Sequence, residues 1–251
     1  QTSYIPGLLL NSVIPMRGGG TLDVINSGKP GHHVPYEERF GGWFLNHSSL
    51  FPKNWANSVG EVSEGSITKI HLPNNIFTEK VPLNFSDPLA HLVLEHQVGF
   101  TNLCLKIQYS YRELIDDEIE NKQKLINLWA EELLDYILFL TEPKLTNSIN
   151  IKLSAFAQEF EGNDLLREFD LNKRLFKFRC SYLINGNLFS ALPTEIQQPF
   201  WDNLVMILTG KINNKPKYSY LEKEEKIQID EYLFSTNSEY KKRRLKKTPF
   251  N

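Results

Sequence analysis

The sequence predicts a mainly α-helical protein: a loop-rich N-terminal third packed on a bundle of about five helices. Three observations point there. Residues 1–85 hold ten of the 14 glycines and seven of the 13 prolines. From Ser86 onward, apolar residues recur at steps of three and four. The later apolar runs also end at helix-stop signals such as Pro143, Gly162 and Gly210.

The N-terminal segment, 1–85, reads as loops with short strands or turns. RGGGT (17–21), SGKPG (27–31) and FGGW (40–43) break up short apolar runs. A loop-rich stretch this long needs something to order it: a ligand, a metal, or docking onto helices.

The helical domain, 86–240, begins with Ser86, Asp87 and Pro88, which supply a cap, an acidic first turn and a proline near the first helical position. Leu89, Leu92, His96, Phe100, Leu103 and Ile107 then form the apolar stripe of a helix about seven turns long. A second helix is expected over roughly 117–141, with Leu125, Leu128, Trp129, Leu133, Tyr136, Ile137 and Leu140 on its apolar side. It should lie antiparallel to the first. Further helices are expected near 151–161, 193–210 and 219–234. Residues 241–251, KKRRLKKTPFN, form a basic tail, and the whole chain forms one globular unit.

Composition excludes several classes. The 251 residues are 41% hydrophobic and 23% charged, as in an ordinary globular protein. No apolar run is long enough for a transmembrane helix; LLDYILFL (133–140) is short and contains Asp135. The net charge is −2, but the tail holds six of the 28 basic residues. The rest carries 22 basic against 30 acidic residues, a balance of −8, which argues against a nucleic-acid binder. The tail is either solvated or in contact with an anionic surface. The chain starts at Gln1, with no charged segment leading into an apolar one as in a signal peptide. A trimmed chain, a mature exported protein and the remainder of a longer one all fit that start.

His96 is the residue most in need of explanation. An imidazole in an apolar stripe costs free energy unless it is hydrogen-bonded, paired or metal-bound. Two readings stay open: a core histidine bonded to a loop carbonyl, or a functional ligand. His91 and His96 are five apart, about 140° around a helix, so a regular helix cannot aim both at one metal. His91 and Glu95 share a face, where a surface ion pair is the favoured reading. Arg39 could neutralise an anionic group, or form a buried ion pair to an acid such as Asp170. Ser48 and Ser49 beside His47 have no triad spacing, and no GxSxG, phosphate-binding loop, HExxH, CxxC or dinucleotide fingerprint is present. A hydrolase is therefore the least favoured class. Cys104 and Cys180 are either a disulfide or two buried thiols.

Several stretches occur in a fixed order: YIPGLLLNSVIP, PYEERFGGWF, SDPLAHLVLEHQVGFTNL, LREFDLNKRLFKFRCSYLI, ALP and LVMILTG. Together they resemble a group of uncharacterised bacterial exported proteins. The patterns of that group include VPGxxxRSVFPD, PxxxRWGGWYVTGTHG, SDIVALxVLEHQ and LRDFDLxxRLFxYPCSYLIY. Arg39, Gly41, Gly42 and Trp43 match RWGGW, with Phe40 in place of its first Trp. Glu95, His96 and Gln97 match EHQ, and His47 falls near the histidine of TGTHG. Thr101 stands where the group often has a second helix histidine. Cys180 matches the cysteine of PCSYLI, with Arg179 replacing proline, which favours a structural thiol or a disulfide over a nucleophile.

The resemblance implies periplasmic or otherwise exported location and association with a c-type cytochrome segment, whose CxxCH would lie outside this chain. The expectation is an exported redox or electron-transfer protein, haem- or metal-linked through His96. Its cofactor site would comprise His96, Glu95, His47, Arg39 and Trp43, and a metal would be held by His96, His47 and His33. The alternative is a non-catalytic subunit or scaffold of a cell-envelope complex, with a cytochrome or envelope protein as partner and no nucleic acid.

Overall fold

The computed structural model describes residues 5–26, 30–46, 48, 51, 53–73, 86–114, 119–145, 155–211 and 216–247. Among these it contains seven helices and two small antiparallel hairpins, so the fold is mainly α. The first hairpin pairs β1 (Ser12–Pro15) with β2 (Thr21–Asn26), its register shifted at two points. The second pairs β3 (Ser58–Ser63) with β4 (Ser66–His71) in unbroken register from Ser58–His71 to Ser63–Ser66. Its two-residue turn has φ of 50° at Glu64 and 77° at Gly65, the left-handed pair that matches strand twist.

Helix α1 spans Pro88–Glu113. Asp87, not Ser86, is its cap; the Asp87 carboxylate accepts from the amides of Leu89 at 2.7 Å and Ala90 at 3.4 Å. Ser86 instead turns the chain into the helix with φ of 70°. The stripe is buried except for Leu103, which is half-buried, while its neighbour Cys104, like His96 and Ile107, has no exposed surface.

Helix α2 spans Ile119–Ile137. It runs antiparallel to α1, because Tyr136 bonds the carbonyl of His96 while Glu132 pairs with Lys106, ten residues further along. Its buried side is Ile126, Trp129, Ala130, Leu133, Leu134 and Ile137, whereas Leu128 is exposed. The expected stripe was rotated by about one residue because α2 also packs extensively on the later helix α5.

After α3 (Ala155–Glu161), the short α4 (Asn187–Ser190) and α5 (Thr194–Leu208), two helices close the fold: α6 (Lys223–Thr236) and α7 (Ser238–Lys247). The helix count exceeds the expected five because α4 is one turn and the basic stretch folds. Residues 241–247 are the end of α7, not a free tail. Tyr240 is buried and donates to Asp230 at 2.6 Å, Arg244 pairs with the same carboxylate at 2.8 Å, and Arg243 pairs with Glu239 at 2.8 Å. Neutralising these arginines removes the repulsion that would otherwise keep the stretch in solvent. Cys104 and Cys180 are both buried free thiols, which resolves the cysteine alternative.

Gly99 sets how closely the loop can approach the bundle. A Cβ there would stand 2.4 Å from the Tyr136 hydroxyl, 2.6 Å from the Pro30 carbonyl and 2.7 Å from the Gly31 Cα. It lies one turn beyond His96 on the same face, so loop 30–39 can rest directly on α1. Gly99→Ala should therefore cost about 2 kcal/mol net of the ~1 kcal/mol gained in helix propensity. That corresponds to roughly 4–8 °C in Tm for a chain of this size. Gly18→Ala, in open space, should leave the melting curve in place.

Candidate functional site

Two faces of α1, both covered by residues 30–43 of the N-terminal segment, carry the polar residues. His96 faces loop 30–39. Its Nδ1 lies 3.0 Å from Nδ1 of His32, and its Nε2 lies 2.7 Å from the Ser181 hydroxyl. All three residues are buried. The Phe139 ring stacks on His96 at 4.8 Å and the Tyr136 ring at 5.3 Å. Tyr136 also donates to the His96 carbonyl at 2.8 Å. Burial pushes the His96 ring down to about 3, with Arg39 adding to the effect, and burial together with His96 holds His32 well below the usual histidine range.

Two neutral rings joined through their Nδ1 atoms require one N–H and one lone pair there. Ser181 can serve either tautomer. Its oxygen already accepts from the Leu183 amide at 3.2 Å, and its hydroxyl can give to or take from His96. The 2.7 Å contact has the spacing of a nucleophile and its base. Ser181 nonetheless has no exposed surface and caps the Tyr182–Asn185 turn, so no substrate carbonyl reaches it.

The other face presents His91 and Glu95. Glu95 does not pair with His91. Its partner is Arg39, whose Nη1 stands 3.1 Å from Oε2, with both side chains nearly inaccessible. The approach is off the hydrogen-bonding direction, so Oε2 accepts no hydrogen bond. Burial raises the Glu95 carboxyl to about 7 against the pull of Arg39. Arg39 spends its other donors on the chain that carries it. Nε gives to the Val34 carbonyl and Nη2 to the His32 carbonyl, each at 2.8 Å, and its guanidinium lies 4.6 Å from the Tyr36 ring centre. Of the two readings of Arg39, the buried ion pair holds, with Glu95 rather than Asp170 as the acid. Asp170 turns back on its own loop and accepts from the Lys173 amide.

His91 is not a surface residue paired to Glu95. It lies between the edges of Phe40 and Trp43, with ring centres 4.9 and 5.0 Å away. Neither ring nitrogen has a hydrogen-bond partner. Burial, then Arg39, pushes its ring down to about 4. Glu38, Arg39, Phe40, Trp43, His91 and Glu95 line one narrow crevice of about 10 Å³, room for about one water-sized group. Phe40 holds φ of 67° there, as Phe139 holds 56° beside His96. Bulky residues in the left-handed region cost about 1–3 kcal/mol each. Here both rings are pinned against a histidine.

Of the expected site residues, Arg39, Trp43 and Glu95 therefore converge on one crevice, and His96 sits one face away. His33 is exposed beside His32, and His47 lies outside the described residues. Among the described residues no three His, Cys, Asp or Glu side chains are grouped to hold a metal ion. Sequence reasoning missed His32 and Ser181. His32 follows Gly31 in a loop, and Ser181 is 85 residues from His96, so only the fold brings them together. No family model matches the chain, and neither a curated protein nor a solved structure is significantly similar to it.

Two outcomes are expected. Arg39→Met strands a buried carboxyl and two carbonyls, so it should cost about 3–5 kcal/mol in denaturant unfolding. The second concerns pH. His91 refuses a proton when folded but takes one near 6.5 when unfolded, so its stabilisation is lost as pH falls from 6.5 towards 4. His91→Phe should then flatten the stability–pH curve across that window by about 1.4 kcal/mol per pH unit. An unchanged slope would mean that His91 is solvated.

Proposed function

We propose that this chain is a non-catalytic subunit or scaffold of a cell-envelope complex, exported and acting beside a cytochrome or another envelope protein. One observation supports this reading above the others. Both His96 nitrogens are engaged, by His32 and Ser181, inside a shell of aromatic rings with no exposed surface. A ligating imidazole must offer one nitrogen to the metal while the other is oriented by a partner; this one offers none. Its work is to tie loop 30–39 to the bundle. The resemblance to exported, cytochrome-associated proteins supports the location and the type of partner. The exposed lysines of α7, Lys241, Lys242 and Lys246, offer a surface to an anionic partner.

A second reading, an exported redox protein haem- or metal-linked through a helix histidine, has its own supporting observation. His91, not His96, has two unengaged nitrogens next to Arg39, Glu95 and Trp43.

A UV–visible spectrum with metal analysis on natively purified protein separates the two. The subunit reading expects a folded chain with no Soret band and no stoichiometric metal. A Soret band or bound metal that persists in His96→Gln and disappears in His91→Phe would overturn it in favour of the second.

A further inference from the structure

A larger cavity opens where hairpin β3–β4 meets the loop 51–57. It holds about 580 Å³, within the roughly 300–1,000 Å³ of ligand-sized pockets. Lys69 and His71, two apart on β4, share one face of the hairpin and both line the cavity. Lys53 lines it from the loop. Among the described residues no carboxylate lines it.

The side-chain amides around this cavity are already spent. Asn57 accepts from the Leu45 amide at 2.8 Å and donates to the Leu45 carbonyl at 2.7 Å. Asn54 accepts from the Ala56 amide at 2.8 Å and donates to the Ser48 carbonyl at 2.9 Å. These bonds fix the walls and leave recognition to the basic groups. Lys69 gives one N–H to the Asn54 carbonyl, and its Nζ lies 5.3 Å from the Trp55 ring centre. Burial lowers its ammonium from the ordinary lysine value, and no acid among the described residues offsets that cost. His71 uses Nδ1 on the Ser58 hydroxyl at 3.0 Å, which leaves Nε2 for a guest. A partly buried ammonium without a counter-ion costs free energy, and a guest that supplies negative charge removes the cost.

The lining selects among anions. Lysine is a point charge with three rotatable donors, which suits the tetrahedral oxygens of a phosphate group. The planar fork that matches a carboxylate belongs to arginine, and no described arginine lines the cavity. Two lysines bring two positive charges, the complement of a phosphate dianion. Leu72 and Pro73 add apolar wall for an organic remainder. We infer that this cavity binds a small phosphate monoester, its phosphate held by Lys69, Lys53 and His71 and its organic part resting on Leu72 and Pro73. The site does not depend on whether the chain is a scaffold or a redox protein.

The test is calorimetry on the full chain in a phosphate-free buffer at pH 7, with NMR of the His71 resonances on the same samples. The probes are phenyl phosphate, inorganic phosphate, and benzoate, which keeps the ring but carries a carboxylate. Phenyl phosphate should saturate at one site and shift the His71 signals, with inorganic phosphate weaker and benzoate not saturating. Lys69→Gln keeps an N–H for the Asn54 carbonyl and loses the charge, so it should melt like the wild type and bind about tenfold more weakly or worse. Lys53→Gln, on the exposed rim, should also fold normally and bind more weakly. Lys241→Gln on α7 removes the same charge elsewhere and should leave binding unchanged. The inference is overturned if phenyl phosphate fails to saturate or leaves His71 unmoved. It is also overturned if inorganic phosphate or benzoate binds as tightly. Binding that survives intact in Lys69→Gln or Lys53→Gln, or that falls equally in Lys241→Gln, would overturn it as well.

Discussion

The N-terminal third is held in place by polar contacts buried against α1. Loop 30–39 has little regular structure of its own: a turn closed by the Val34 amide on the Gly31 carbonyl and the single helical turn Tyr36–Glu38. It is fixed at two points. His32 meets His96, and Arg39 meets Glu95 while also bonding the loop's own carbonyls. A buried imidazole or guanidinium without a partner is costly, so each contact exists only if the loop is docked. The polar residues on α1 therefore specify where the loop goes, while the aromatic residues around them supply the burial. Gly99 makes the approach sterically possible, and Tyr136 closes it from the side of α2.

The same helix presents two polar faces with opposite degrees of completion. Around His96 every polar ring atom is answered, and the rings of Tyr136, Phe139, Phe176 and Tyr182 enclose it. That is the environment of a structural core residue. Around His91 neither ring nitrogen has a hydrogen-bond partner, although Glu95 beside it pairs with Arg39. The left-handed backbone is common to both faces, Phe40 at His91 and Phe139 at His96, so the contrast rests on the unpartnered nitrogens alone. The contrast lies within five residues of one helix, so it reflects the loops packed on each face, not the helix.

Much of the bundle was legible in the sequence because three-and-four spacing and stop signals are local. The stripe of α1 and the stop at Gly210, with φ of 70°, both follow from neighbours along the chain. The packing of residues 241–247 was not legible, because Asp230, which neutralises Arg244, lies on the preceding helix. At the site, His96, Arg39 and Glu95 could be singled out from residue type and position, and Trp43 only from the resemblance. Their partners could not. His32 joins His96 across 64 residues, and Ser181 joins it across 85. Periodicity carries no information about such distances, so His91 was assigned to the surface although Phe40 and Trp43 cover it.

The contact between His32 and His96 is the one on which the docked loop depends, and histidine tautomers report it directly. Long-range proton–nitrogen NMR on protein labelled at its histidines, recorded near pH 6, gives the protonation of each ring nitrogen. The account predicts two neutral rings, one protonated at Nδ1 and the other carrying the Nδ1 lone pair. Finding either ring cationic, or both Nδ1 atoms without a proton, would contradict it.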